Sequence, residues 1–444
     1  MTIPNFVGPG DDAMYLNGER VMRNERLRET VIERTHASGL KVYLCPKPGY
    51  RKRYACFATD FGSLDVAYSR AGGARVEIPD GLAHFLEHKL FESEDGDAFE
   101  KFSRLGASAN AYTTYNATNY LFACSKEFYA SLDVLIEFVR TPHFTAESVA
   151  KEQGIIGEEI SMYDDSAGWR IYRNLVEGLY WRHPVRNEIL GSVESIGRIT
   201  DKLLYECYET FYHPESMVLF AIGDLDPAEY FAEADKALSR RTYAPRGAVE
   251  RLLPIEDPRV RERDTRASMV LSEPRLLVGY KDIEIGTSGR RLLEKELATD
   301  MLLDIIFGKG SVFFQRMYEQ KLIDDNFSAS YSGLPSCGFS AIGGETSDPD
   351  ALVTEIEREL ARARAAGISA EEFERQRRAS MGSFFSNFNS LEYIANAYCG
   401  YKFLGIELFD TIEALESLDR SALERRLAEH LRPETLAISV LTPK

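Results

Sequence analysis

YHPESMVLFAIGD, residues 212–224, returns 219 residues later as LRPETLAISVLTP, residues 431–443, with Pro214 and Pro433 in register. The same offset lays SVESIGRIT (192–200) over TIEALESLD (411–419), and an offset of 224 lays FTAESVAKEQ (144–153) over ISAEEFERQR (368–377). Matches that recur in the same order along both halves predict a duplicated unit. The length agrees, because 444 residues exceed what one ordinary core holds. The stretch 238–267, LSRRTYAPRGAVERLLPIEDPRVRERDTRA, replaces periodic apolar residues with charges and three prolines. The expected division is therefore an N-terminal repeat over 1–240, a linker over 241–267 and a C-terminal repeat over 268–444.

Each repeat mixes element types. GLKVYLCPKP (39–48), YACFATDFGS (54–63) and NAYTTYNATNYLFAC (110–124) are strand-like in their β-branched and aromatic content. KEFYASLDVLIEFVR (126–140) and ITDKLLYECYETFY (199–212) have helical periodicity. Helices and antiparallel strands in blocks predict an α+β fold, two tandem α/β-sandwich repeats with mainly antiparallel sheets.

Composition narrows the function. Hydrophobic residues at 44% and charged residues at 28% make a globular protein. A net charge of −17 argues against a nucleic-acid partner, since phosphate binding needs a local excess of Lys and Arg. No apolar run reaches the ~18 residues of a membrane span, so no membrane is expected. The opening MTIPNFVGPGDDAMYLNGER has no basic start before an apolar run, and with Asp11, Asp12 and Glu19 it reads as neither signal nor transit peptide. A cytoplasmic location is expected. The six cysteines, Cys45, Cys56, Cys124, Cys207, Cys337 and Cys399, are far apart and are read as reduced, mostly buried thiols.

PDGLAHFLEHKLFESE, residues 79–94, carries the chemistry. At about 100° per residue, Leu82, Phe85, Leu86 and Leu90 share one side of a helix, while His84, Glu87 and His88 fall on the other. Two histidines at i and i+4 can turn ring nitrogens to one metal ion, with the i+3 carboxylate beside them. This is the H-x-x-E-H order of inverted zinc peptidases. A catalytic zinc needs a third protein ligand and a free position for water. VAKEQGIIGEEISMY (149–163) supplies candidates: as a helix it places Glu152, Ile155, Ile156 and Glu159 on one face, where a metal would compensate carboxylates set among isoleucines. Glu158 points away and is read as solvated.

HFLEH at 84–88 with Glu159, 70 intervening residues later, resembles the pitrilysin or insulin-degrading-enzyme family, most closely its half-length processing-peptidase branch. GLAHFLEHKLFE, NAYTTYNATNYLF, HPVRNEILGSVESI, YHPESMVLFAIGD and the duplicated second half extend the resemblance over nearly the whole chain. The resemblance implies two α+β repeats forming half of a clamshell chamber, and zinc-dependent cleavage of short or unfolded peptides. It implies one Zn2+ per chain held by His84, His88 and Glu159, with Glu87 as general base and Glu152 orienting a ligand or the water. It sets NAYTTYNATNYLFAC as the edge strand beside the metal, where an extended peptide adds as a further strand. Asn110 and Ala111 then meet the scissile bond, Asn110 as a candidate oxyanion donor, and Tyr112 and Thr113 follow as further substrate-binding positions.

The second repeat departs from the family pattern. Where an Arg and a Tyr seven residues apart usually hold substrate, Tyr318 and Asp325 stand, with Arg316 and Tyr331 near but off register. The zinc ligands have no counterpart, since Gln376 and Ser383 lie opposite Glu152 and Glu159. The resemblance therefore implies a catalytic subunit paired with a homologous zinc-free partner that supplies the Arg and Tyr. The competing reading is a non-catalytic structural subunit of a larger complex, which the intact His84, Glu87, His88 and Glu159 disfavour. A thiol-dependent hydrolase is disfavoured because no histidine stands out as partner to a cysteine.

Overall fold

The computed structural model describes residues 13–16, 19–70, 72–94 and 96–444. The first twelve residues, on which most of the leader reading rests, lie outside that range. By internal contact the described chain forms two compact units, the first taking residues up to 157 with 189–252 and 387–403, the second taking 158–188, 253–386 and 404–444. The division falls inside one helix that is itself unbroken from Ala146 to Asp164.

The first unit is built on a sheet of β1 (Ala13–Leu16), β2 (Glu19–Asn24), β3 (Glu29–Thr35), β4 (Lys41–Pro46), β5 (Arg53–Thr59), β6 (Ser108–Thr113), β7 (Thr118–Cys124) and β8 (Met217–Gly223). Their spatial order is β1-β2-β3-β4-β8-β5-β7-β6, so β6 is an edge. Only β8 and β4 run parallel; the other neighbours are antiparallel. β5 is buried along nearly its whole length, as a strand covered on both faces must be. Tyr43, Phe220, Tyr54 and Cys56 face one way. There Tyr398 packs 5.0 Å from Tyr43 and 4.9 Å from Phe220, and Tyr54 Oη donates to Asn396 Oδ1 at 3.1 Å. On the other face, Phe138 lies 5.7 Å from Tyr120, and Phe128 lies 5.5 Å from Phe122.

The second unit repeats the plan with β9 (Asp264–Met269), β10 (Arg275–Lys281), β11 (Ser328–Leu334), β12 (Cys337–Glu345) and β13 (Leu436–Pro443), ordered β9-β13-β10-β12-β11. β13 is parallel to β9 and antiparallel to β10, as β8 is to β4 and β5. Pro214 and Pro433 each open a short 3-10 turn directly before β8 and β13, which accounts for the matched sequence. Gly279 lets the helix Ala167–Leu179 sit close, since a Cβ there would come 2.8 Å from a Leu175 methyl.

The fold is α+β with mainly antiparallel sheets, as expected, with three differences of detail. NAYTTYNATNYLFAC is not one strand but the hairpin of β6 and β7, turned at residues 114–117. The stretch 241–267, expected as a linker, contains Val249–Arg251, which pairs antiparallel with Ala67–Arg70, and most of β9. Each unit also takes a helix from the other half of the sequence: Leu391–Phe403 belongs to the first and Ala167–Leu179 to the second. A local reading assigns segments by chain order, whereas burial assigns them to whichever sheet face they cover.

Candidate metal centre

Helix α1 (Leu82–Leu90) begins at Gly81, whose φ of 91° and contact with the Leu190 carbonyl, 2.4 Å from any added Cβ, admit only glycine. Ser195 Oγ donates to the Asp80 carbonyl at 2.8 Å and ties down the same turn. Leu82, Phe85, Leu86 and Leu90 are buried and hold the helix against the core. His84 and Glu87, each 8% exposed, are also largely enclosed, so the polar side of α1 lines a sheltered site.

The rings of His84 and His88 lie 4.5 Å apart. Burial, and then the neighbouring His88, push the His84 pKa down to about 3. Its imidazole is therefore neutral at physiological pH, the form that ligates metals. His88 Nδ1 lies 2.9 Å from Glu152 Oε1, which accepts its N–H and leaves Nε2 for a metal.

Glu152 and Glu159 share helix α2 (Ala146–Asp164). Seven residues are about two turns, so the two carboxylates stand on one side of it. Glu152 and Ile156 are buried and Glu158 is exposed, as expected. Ile155 is 43% exposed and does not belong to that face, because its position on the helix falls outside the narrow buried stripe. His84, His88 and Glu159 offer donor atoms that all lie within 4.8 Å of one another, the one such group of three among the described residues. Two imidazoles and a carboxylate are the His2Glu donor set of catalytic zinc sites, so these residues fit that ion.

The edge strand β6 lies against α1. Thr113 Oγ1 donates to Glu87 Oε2 at 2.7 Å, a contact the sequence did not reveal. Strand alternation puts Ala111 and Thr113 on the α1 face and Asn110 and Tyr112 on the opposite face. Tyr112 accordingly neighbours Cys56 and Cys399, and burial raises its hydroxyl pKa. Asn110 is exposed, and its Oδ1 accepts from the Ala111 N–H at 2.9 Å. The structure thus groups His84, Glu87, His88, Glu152, Glu159 and Thr113, and sets the Asn110 side chain on the far face. An oxyanion role for that side chain finds no geometric support. Strand parity, countable from Thr113, is the signal that separates them.

In the second unit, Arg316 is bound to Glu355 and Glu359 at 3.1 and 3.7 Å, and Tyr331 Oη donates to Asp282 at 2.6 Å. Tyr318 is half exposed. All six cysteines are buried and unbridged, and burial lifts Cys124 to about 11 and Cys337 to about 12, which disfavours the thiolate of those two near neutral pH.

Comparison with known proteins gives a consistent result. Residues 70–193 match the profile described as "Insulinase (Peptidase family M16)", and residues 198–380 match "Peptidase M16 inactive domain". The chain is 41% identical over 421 residues to "Uncharacterized zinc protease YmfH" of Bacillus subtilis, covering 95% of this chain and 98% of that one. Among solved structures, a "putative M16-like peptidase from Alicyclobacillus acidocaldarius" superposes with a TM-score of 0.90 at 36% identity, over 97% of this chain and all of that one. Pitrilysin superposes with a TM-score of 0.75 at 17% identity, over 96% of this chain and 47% of its own length, a likeness of fold.

Proposed function

The chain belongs to the M16 (insulinase/pitrilysin) peptidase family, and from that membership and the site geometry we propose that it is a zinc-dependent endopeptidase of short or unfolded peptides. The observation that carries the reading is the convergence of His84, His88 and Glu159, with Glu87 beside them. These three residues would hold one Zn2+ per chain. When bound there, zinc supplies Lewis acidity that makes water a nucleophile near neutral pH and polarises the peptide carbonyl. Glu87 takes the proton from the attacking water and returns it to the leaving amine. Glu152 keeps His88 in one tautomer and orientation. The open edge of β6 pairs with the main chain of an extended peptide, which makes selectivity by side chain loose.

The catalytic chain works with a homologous zinc-free partner, the two closing a chamber around the peptide. What supports this is that Arg316 and Tyr331 are committed to Glu355, Glu359 and Asp282, while Tyr318 and Asp325 stand at the positions expected of the Arg and Tyr. No helix of the described residues is long and apolar enough to cross a membrane, and six unbridged thiols suit a reducing compartment, the cytoplasm. The test is metal analysis of the purified chain with turnover of quenched fluorescent peptides, alone and with a zinc-free homologue. Zinc at about one per chain, with cleavage abolished by chelator and restored by zinc, is expected. A chain that takes up no zinc overturns the reading, and full activity of the chain alone removes the partner.

A further inference from the structure

We propose that Thr113 is a positioning residue for Glu87, its hydroxyl binding Oε2 and so holding the carboxylate in one orientation. This deepens the zinc-peptidase reading and rests on it. A threonine hydroxyl has one proton to give. Thr118 Oγ1 gives its own to the Phe61 carbonyl at 2.9 Å, so toward Thr113, 3.4 Å away, it can only accept. Thr113 Oγ1 lies closer to Glu87 Oε2, at 2.7 Å, and a carboxylate is the stronger acceptor, so the proton goes to Glu87. The Glu87 carboxylate is thereby held through Oε2.

The backbone holds this hydroxyl in place. Thr113 and Thr118 form the closing pair of the β6–β7 hairpin, and the turn beyond them is shut by Thr114 N–H to the Ala117 carbonyl at 2.8 Å. Ser63 N–H and Leu64 N–H donate to the carbonyls of Thr114 and Tyr115 at 3.1 and 2.9 Å. Gly62 permits that approach, since a Cβ there would come 2.5 Å from the Tyr115 oxygen. The frame therefore runs from a pinned turn through the Thr113 hydroxyl to the general base, and it uses the side chain of an edge-strand residue.

The experiment compares zinc-loaded wild type, Thr113→Val and Thr113→Ser as full chains, by steady-state kinetics, zinc content and crystal structure. For Thr113→Val, kcat should fall roughly 10- to 100-fold, as a small misplacement of a reacting group does, with KM within about two-fold and zinc content unchanged. Thr113→Ser should restore most of kcat. The crystal structures should show one Glu87 carboxylate position in wild type and a turned or divided one in Thr113→Val. An unchanged kcat, a rise confined to KM, loss of zinc, or an unmoved Glu87 in Thr113→Val each overturns the proposal. If Thr113→Val does not fold, Thr113→Ala takes its place with the same readouts. If wild type cleaves no peptide, the endopeptidase reading falls, and the Glu87 position alone decides the role of Thr113.

Discussion

The two sheets carry the same five-strand order, yet the helix beside each edge strand offers it different chemistry. Thr113 pairs with Thr118 and Thr118 with Thr59; in the second sheet Tyr331 pairs with Ser340 and Ser340 with Tyr280, so Thr113 and Tyr331 hold equal places. Glu87 accepts from Thr113, and Asp300, on helix α3 (Gly289–Phe307), accepts from the Tyr331 N–H at 3.1 Å. His88 meets Glu152 at 2.9 Å, and Asp304 meets Gln376 at 2.8 Å. The Glu152 and Gln376 contacts align His84-Phe85-Leu86-Glu87-His88 with Asp300-Met301-Leu302-Leu303-Asp304, so the edge strand is met by Glu87 in the first unit and, a turn earlier on the helix, by Asp300 in the second. The buried apolar places keep apolar residues, while the imidazoles become aspartates and the base becomes Leu303. Duplication kept what the sheet needs for burial, and the metal donors survive in one copy.

The largest test of that contrast is His88→Ala against Asp304→Ala. The first should leave zinc and peptidase activity near background, because a ligand and the partner of Glu152 both disappear; the second should keep about one zinc per chain, by metal analysis. Next, Glu87→Gln should lower kcat by roughly 10²- to 10⁴-fold with zinc retained, and retained turnover would remove Glu87 as the base. Glu152→Ala should weaken zinc binding about 10- to 100-fold by competition with a chelating dye, whereas Gln376→Ala should not change it.

Leu86→Ala and Leu302→Ala, both fully buried, should each cost about 2–5 kcal/mol in denaturant unfolding, with only the first disturbing zinc affinity. The smallest effect concerns pH. Burial lowers the pKa of His430 to about 3 and of His183 to about 4, against 6.5 for an ordinary histidine. Both are thus neutral when folded and take protons first when unfolded. Their contribution is present above pH 6.5 and is lost as pH falls from there toward 4. Thermal melts of the metal-free chain should therefore decline below about pH 6.5, less steeply in His430→Gln.

Much of this was legible in the chain. The i, i+3, i+4 spacing of His84, Glu87 and His88 and the seven-residue step from Glu152 to Glu159 are helical periods, and a helix imposes its period locally. The proline before β8 and β13 marked the duplicated strand for a similarly local reason. Other features were not. NAYTTYNATNYLFAC reads as continuous strand because its turn, Thr114 to Ala117, has no glycine or proline and is held from outside by residues 62–64. Ile155 looked like a core residue because its type, not its surroundings, was visible.

The sequence by itself determined that a helix would present two imidazoles and a carboxylate on one side, and that the architecture would occur twice, because both follow from residue spacing. Only the tertiary structure decided that Glu159, 70 intervening residues beyond His88, arrives at the histidine pair and that the Thr113 hydroxyl, not the Asn110 amide, faces the site. Those proximities come from strand pairing and from which sheet face each helix covers. Both are set by packing between distant segments, which no local period encodes.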